Sequence, residues 1–136
     1  MLLILDTNVY IFAFGTSKKP SCRDIIALLG EPFSSCKLRI PRTIIGEVRR
    51  NLSPEVFQEF IGFILTITAI DEDSVVPFEI AFKYEAKGLK PADAFIAAYT
   101  EWIGAKVLVT ENRHFLTQHS DLPFKVLTAE KCLRLI

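Results

Sequence analysis

The chain has 136 residues, half of them apolar, and its sixteen acidic residues balance sixteen basic ones. This length suits one domain with a substantial hydrophobic core, so folding requires neither disulfides nor a structural metal. The zero net charge excludes a strongly basic coat protein whose affinity for nucleic acid rests on bulk charge. It leaves room for a local positive rim around a small site. We expect residues 1–136 to form a single domain.

The cysteines and the apolar stretches argue against export and against a membrane segment. The three cysteines are scattered and form no C-x-x-C pair, which suits a reducing cytoplasm better than a disulfide framework or a zinc site. The apolar N-terminus lacks the basic lead of a signal peptide. The longest apolar stretch, residues 60–70, is about half of the ~20 residues that span a bilayer. We expect a cytoplasmic protein.

Short apolar runs alternate with helical patterns along the whole chain. The predicted strands are Leu2–Leu5, Lys37–Ile40, Ile67–Ile70, Lys106–Thr110 and Lys125–Leu127. The predicted helices cover residues 9–14, 21–29, 43–52, 54–64, 71–88 and 91–104, with a last helix from residue 128. Two start signals are clear: Ser53 before Pro54, and the acids at 71–73 at the head of a helix that stops at Gly88. This alternation predicts an α/β domain with a parallel sheet.

Polar residues follow the first and the fourth predicted strands directly. Asp6 comes after Leu5, and Thr110 and Asn112 come after the Val107–Val109 run. Sites in parallel sheets form beyond the carboxyl ends of strands, so neighbouring strands would bring these groups into one crevice. Asp6 could equally be an ordinary turn or cap residue. Since Asn8 is the better cap candidate, the charge of Asp6 exceeds what the turn requires.

Two further carboxylates lie on predicted helices. Glu47 sits at the edge of an apolar stripe, where a solvated ion pair with Arg49 or Arg50 is the ordinary interpretation. Asp93 is a lone acid among small and apolar residues in the stretch PADAFIAA. The helix dipole stabilises a carboxylate in the first turn by only ~0.3–1 kcal/mol. Burying the charge of that carboxylate is costly without a cationic partner.

If Asp6, Glu47 and Asp93 meet, their mutual repulsion calls for a cation. Carboxylate oxygens are hard ligands that select Mg²⁺ or Mn²⁺. A metal held this way activates water and neutralises phosphate charge, so phosphodiester hydrolysis is the natural chemistry and needs no histidine base.

Four segments in order resemble the PIN-domain nucleases, and among them the compact toxin ribonucleases of the VapC type. They are LDTNV from Leu5, IIGEVRRNL from Ile44, KPADAFIAA from Lys90 and VLVTENRHF from Val107. The match covers essentially the whole chain, and its specificity lies in the order and spacing of the four segments.

The resemblance implies a three-layer α/β/α sandwich with a mostly parallel five-stranded sheet. It implies that Asp6, Glu47 and Asp93 ligate Mg²⁺ or Mn²⁺ and that the substrate is single-stranded RNA. Asn8 and Thr110 match supporting positions. Asn112 stands where many relatives carry a fourth acid, which bears on a second metal more than on activity. A small antitoxin and a homodimer are the partners that the resemblance implies.

Other interpretations remain open from the residues. A catalytically idle PIN-like module that binds RNA or protein is the main alternative. A haloacid-dehalogenase-like phosphatase would need an acid where this chain has Asn8, and a receiver domain would need paired acids after the first strand. We interpret His114 as an ordinary polar loop residue and assign no role to His119. Six basic residues near the acids would form the positive rim: Arg42, Arg49, Arg50, Lys83, Lys87 and Lys90.

Overall fold

A computed structural model of the chain describes residues 1–117 and 121–136, so His119 lies outside the described residues. The strands of this part are Leu2–Leu5 (β1), Lys37–Leu38 (β2), Ile40–Pro41 (β3), Ile70–Asp71 (β4), Val107–Val109 (β5) and Lys125–Leu127 (β6). The α-helices are Thr7–Phe14 (α1), Pro20–Leu29 (α2), Arg42–Asn51 (α3), Pro54–Ile67 (α4), Phe78–Ala86 (α5), Pro91–Ile103 (α6), Arg113–Thr117 (α7) and Ala129–Leu135 (α8). A 3₁₀ turn covers Asp73–Val75.

The main sheet has four parallel strands in the order β2-β1-β5-β6. Leu3, Ile4 and Leu5 in β1 have no exposed surface. A strand buried on both faces requires helices on both sides of the sheet. The predicted α/β sandwich with a parallel sheet is therefore confirmed.

The strand count differs from the single five-stranded sheet that the resemblance implied. β3 and β4 form a separate parallel pair, in which Ile40 lies opposite Ile70 and Pro41 opposite Asp71. The predicted second strand divides at Arg39, whose guanidinium pairs with Asp71 of β4. The chain therefore leaves the main sheet there and begins the small one.

The helix signals were mostly correct at helix starts. Ser53 caps α4 by accepting a hydrogen bond from the backbone N–H of Val56, and Pro54 is the first residue of that helix. The helix predicted over residues 71–88 was wrong in its first half, because Pro77 holds the preceding backbone extended and the helix begins at Phe78. Residues 67–70 also differ, since Ile67 ends α4 and only Ile70 reaches a strand.

The acids at 71–73 serve an earlier part of the chain. Asp73 accepts hydrogen bonds from the backbone N–H and the hydroxyl of Thr43, and Glu72 pairs with Arg42. Asp73 therefore satisfies a backbone N–H in the first turn of α3, the helix that carries Glu47. Among the described residues, none of the helices is both long and apolar enough to cross a bilayer.

Two glycines provide a matched test of the backbone. Gly104 ends α6 with a φ of +76°, and a Cβ there would meet no atom within 4 Å, whereas Gly62 lies exposed inside α4 with equally open space. Gly104→Ala should lower the free energy of unfolding by about 1 kcal/mol, because only its backbone conformation is penalised. Gly62→Ala should raise it by up to about 1 kcal/mol. Urea unfolding of both variants measures the difference, and equal effects of the same sign would contradict the assigned conformations.

Candidate active site

The sequence predicts a crevice at the carboxyl ends of β1 and β5, and these two strand ends lie side by side. These strands are neighbours, with Leu5 opposite Val109, and the order of strands along the chain reverses between them. The backbone N–H of Asp6 donates to the carbonyl of Val109 at 2.8 Å, and that of Thr110 donates to Leu127 at 2.9 Å. Asp6 and Thr110 therefore leave adjacent strands at the same edge of the sheet, the position where α/β proteins bind ligands.

Asp6 is buried, with 5% of its surface exposed. Its carboxylate accepts hydrogen bonds from the backbone N–H of Thr7 at 2.8 Å and from the hydroxyl of Thr110 at 2.7 Å. Asp6 itself caps α1, so the expectation that Asn8 takes that role was wrong. Asn8 instead accepts a hydrogen bond from the backbone N–H of Glu111 at 3.2 Å, which ties α1 to the loop after β5. Asp6 thus combines a structural contact with a buried charge.

Glu47 lies on α3 and reaches the same crevice through Thr7. The Thr7 hydroxyl donates to Oε2 of Glu47 at 3.2 Å, while its backbone N–H holds Asp6. Oε1 of Glu47 is buried and has no hydrogen-bond partner among the described residues. An unsatisfied buried carboxylate oxygen is costly and calls for a ligand. Nothing in the local sequence signals that Thr7 bridges Asp6 and Glu47, which lies forty residues away.

Asp93 lies in the first turn of α6, as predicted. Its side chain forms no hydrogen bond or ion pair within the described part of the chain, although burial raises its pKa. Electrostatic interactions with His114 and Lys90 oppose that shift, which places both residues near Asp93. His114 belongs to the short helix α7, so its assignment to a loop was wrong.

The three carboxylates act on one another electrostatically. Burial is the main cause of the raised pKa at Asp6, Glu47 and Asp93 alike. The charge of Asp93 raises the pKa of Asp6 further, and the charges of Asp6 and Asp93 both raise that of Glu47. Hydrogen bonds from Thr110 and Thr7 offset the shifts only in part. The structure therefore concentrates negative charge on one crevice from three separate elements.

This arrangement is an open set of donors. Within the residues that the structure describes, no three Asp, Glu, His or Cys side chains converge closely enough to hold a metal ion together. Mg²⁺ seldom uses such cages, since it keeps several waters and takes one or two carboxylates. The unpartnered Oε1 of Glu47 and the carboxylate of Asp93 are oxygen donors of the type that this ion accepts.

The loop after β5 contains no substitute for a fourth acid. Oε2 of Glu111 accepts a hydrogen bond from the backbone N–H of Ala129 at 3.0 Å, and Oε1 lies 3.5 Å from Nζ of Lys19. Asn112 donates its backbone N–H to the Thr110 hydroxyl at 3.1 Å and accepts one from His114 at 3.0 Å. Glu111 is thus engaged away from Asp6, and Asn112 is a neutral turn residue that orders this loop.

The predicted basic rim is smaller than the sequence indicated. Arg42 and Lys83 are paired with Glu72 and Glu101, and the cations of Arg49 and Lys87 lie over aromatic rings. Arg50 and Lys90 remain, and their charges lower the pKa values of Glu47 and Asp93 respectively. They form the positive side of the site, and His114 lies near Asp93.

Comparisons with known proteins agree with this architecture. A PIN domain model matches residues 3–118. In a crystal structure of VapBC2 from Rickettsia felis bound to a DNA fragment from their promoter, one chain is similar to this one with a TM-score of 0.65 and 20% identity. The similarity covers 93% of this chain and 97% of that chain. Among curated proteins, no significant match is found.

The cost of burying the charge of Asp93 can be measured without activity. The pKa of Asp93 is higher in the folded state than in the unfolded state, where it is about 3.9. Protonation of Asp93 therefore stabilises the folded protein, and this stabilisation is complete below the unfolded pKa. It is lost as the pH rises through the folded pKa. Asp93→Asn should therefore raise the thermal unfolding midpoint at pH 7 in chelator, and the gain should vanish on acidification to about pH 4.

Glu72→Gln is the matched control of opposite sign. Arg42 lowers the pKa of Glu72 by hydrogen bonding, so this exposed ion pair stabilises the fold at neutral pH and loses its effect in acid. A lower midpoint for Asp93→Asn at pH 7 would show that Asp93 is compensated within the protein alone.

Proposed function

This chain belongs to the PIN-domain family, and from that premise we propose that it is a metal-dependent endoribonuclease that hydrolyses single-stranded RNA. The site residues of the proposal are Asp6, Glu47 and Asp93, with Mg²⁺ or Mn²⁺ as the cofactor. Asn8, Thr110 and Asn112 support them.

One observation carries the proposal. Burial raises the pKa of three carboxylates from three elements, and the charge of Asp93 adds to the rise at Asp6 and at Glu47. Oε1 of Glu47 is buried without a hydrogen-bond partner among the described residues. Structural acids are normally paired or hydrogen-bonded when buried, whereas groups with strained electrostatics cluster at functional sites. A divalent cation is the ligand that relieves this arrangement.

Each residue has a distinct task in the proposed reaction. Asp6, Glu47 and Asp93 would hold the cation, which when bound lowers the pKa of water and neutralises charge on the phosphodiester. The hydroxyl of Thr110 fixes the carboxylate of Asp6, and the hydroxyl of Thr7 fixes Oε2 of Glu47, while the buried Oε1 has no partner among the described residues. Arg50 and Lys90 attract the RNA phosphates to an otherwise acidic site.

Two protein partners belong to the same proposal: a small antitoxin and a second copy of the chain. The support for an antitoxin is the fold shared with a chain of the VapBC2 crystal structure. Phe78 and Phe82 stack at 6.1 Å on α5 and are 77% and 63% exposed, which provides apolar surface for a partner. Light scattering distinguishes a 15.4 kDa monomer from a particle of twice that mass.

RNA cleavage tests the proposal directly. The wild-type protein should cleave a single-stranded RNA in Mg²⁺ or Mn²⁺ and lose activity in chelator. Asp6→Asn and Asp93→Asn should each lower kcat/KM by about 100-fold or more, since even residues that only orient metal ligands contribute 10–100-fold. Gel analysis of a labelled RNA measures the rates, and circular dichroism checks that the variants fold.

Glu72→Gln serves as the control, because Glu72 is an acid of the same region that pairs with Arg42 outside the crevice. It should cleave like the wild type. Full activity in the Asp93→Asn variant would refute the assignment of the site. A wild-type protein that binds RNA but never cleaves it would favour the idle binding module.

The toxin role has its own test. Induced expression of the wild-type chain should arrest bacterial growth, and Asp93→Asn at the same protein level should not, because the arrest depends on cleavage. Co-expression of a small protein encoded beside this gene should restore growth. Unimpaired growth with active enzyme present would argue for a cellular nuclease that is not a toxin.

A further inference from the structure

Asp71 collects three hydrogen bonds that no part of the proposed site uses. Its Oδ1 accepts from Nη2 of Arg39 at 2.7 Å, and its Oδ2 accepts from Nε of Arg39 at 3.0 Å and from the hydroxyl of Tyr99. The Asp71 side chain is 17% exposed and Tyr99 is fully buried. A bidentate arginine pair fixes the plane of a carboxylate, and the phenol then fixes its position.

These partners belong to the two segments that carry Glu47 and Asp93. Arg39 precedes β3, and β3 leads directly into α3 with Glu47. Tyr99 lies on α6 and stacks on Phe95, with ring centroids 6.5 Å apart. The small sheet consists of β3, which leads into α3, and β4, which ends at Asp71. Among the side-chain hydrogen bonds of the described residues, only the one from Tyr99 to Asp71 joins α6 to this sheet.

The two helices otherwise oppose each other at the site. The charge of Asp93 on α6 raises the pKa of Glu47 on α3, which reflects repulsion between them. Burial would raise the pKa of Asp71 as well, but the hydrogen bonds from Arg39 and Tyr99 outweigh it and hold this pKa below its ordinary value. Asp71 therefore stays ionised at neutral pH and keeps all three bonds.

We infer that Asp71 and Tyr99 are positioning residues, which hold α3 and α6 together against the repulsion of Glu47 and Asp93 and so set the separation of these two carboxylates. The inference rests on the proposed function for its catalytic consequence. The link between the helices is a property of the fold alone.

Tyr99→Phe is the sharpest variant, because it keeps the stacked, buried ring and the Arg39–Asp71 pair and removes only the hydroxyl. Tyr84→Phe is its matched control. Tyr84 is also fully buried, and its hydroxyl donates to a carboxylate, that of Glu101, at 2.8 Å within the α5–α6 pair. Both variants lose one phenol–carboxylate bond, but only Tyr99→Phe releases α6 from the small sheet.

Titration calorimetry with Mn²⁺ alone should show about 10-fold weaker binding for Tyr99→Phe and a change of less than about 2-fold for Tyr84→Phe. In RNA cleavage, Tyr99→Phe should lower kcat with little change in KM, because phosphate binding by Arg50 and Lys90 is untouched. Asp71→Asn should give a larger effect in the same direction, since an amide cannot accept all three bonds. Equal Mn²⁺ affinities for the two tyrosine variants would overturn the inference.

Hydrogen exchange in chelator tests the link without any metal. Tyr99→Phe should increase amide exchange in α3 around Ile44 and Glu47, and Tyr84→Phe should leave α3 as in the wild type. The same exchange in α3 for both variants would refute the link, whatever the activity. A wild-type protein that neither binds Mn²⁺ nor cleaves RNA would refute the proposed function, and the exchange pattern would still decide whether Asp71 and Tyr99 hold the helices.

Discussion

Repulsion among three carboxylates in one crevice is the constraint on which the site depends. Asp6, Glu47 and Asp93 come from a strand end and two helices, and burial removes the water that would screen their charges. The fold compensates Asp6 with two hydrogen bonds and Glu47 with one, while Asp93 receives none. Such incomplete compensation costs stability in the protein alone, and the cation of the proposed function would offset that cost.

The compensation of Asp6 runs through a hydroxyl group that has two partners. Thr110 is fully buried; its oxygen accepts the backbone N–H of Asn112, which leaves its own hydrogen directed at Asp6. Asn112 in turn accepts the backbone N–H of His114 at the start of α7. The loop after β5 therefore sets the orientation of Asp6 and places His114 near Asp93 through one continuous network. A change in this loop would move charge on both sides of the crevice.

Local patterns were sufficient to predict the main sheet and the place of the crevice. The apolar run of β1 ends at Asp6, and the run of β5 ends at Thr110, so period and polarity located both. Glu47 depended on the family resemblance, because an acid at the edge of an apolar stripe is common on any surface helix. The small sheet could not be read from the sequence, since Asp71 finds its partner Arg39 thirty-two residues away. Contacts of that range leave no periodic signal near either residue.

The neutral side chain of Asn112 affects the net charge of the proposed site. One divalent cation bound by three ionised carboxylates leaves a single net negative charge at the proposed site. The positive charges of Arg50 and Lys90 make the net charge positive before a phosphate approaches. A fourth acid at this position would leave more negative charge and would demand a second firmly held cation. Glu111 cannot supply that acid, because its oxygens are engaged by Ala129 and Lys19. The charge balance of this chain therefore favours a proposed centre with one firmly held cation and a basic rim of two residues over a centre with two equivalent metals.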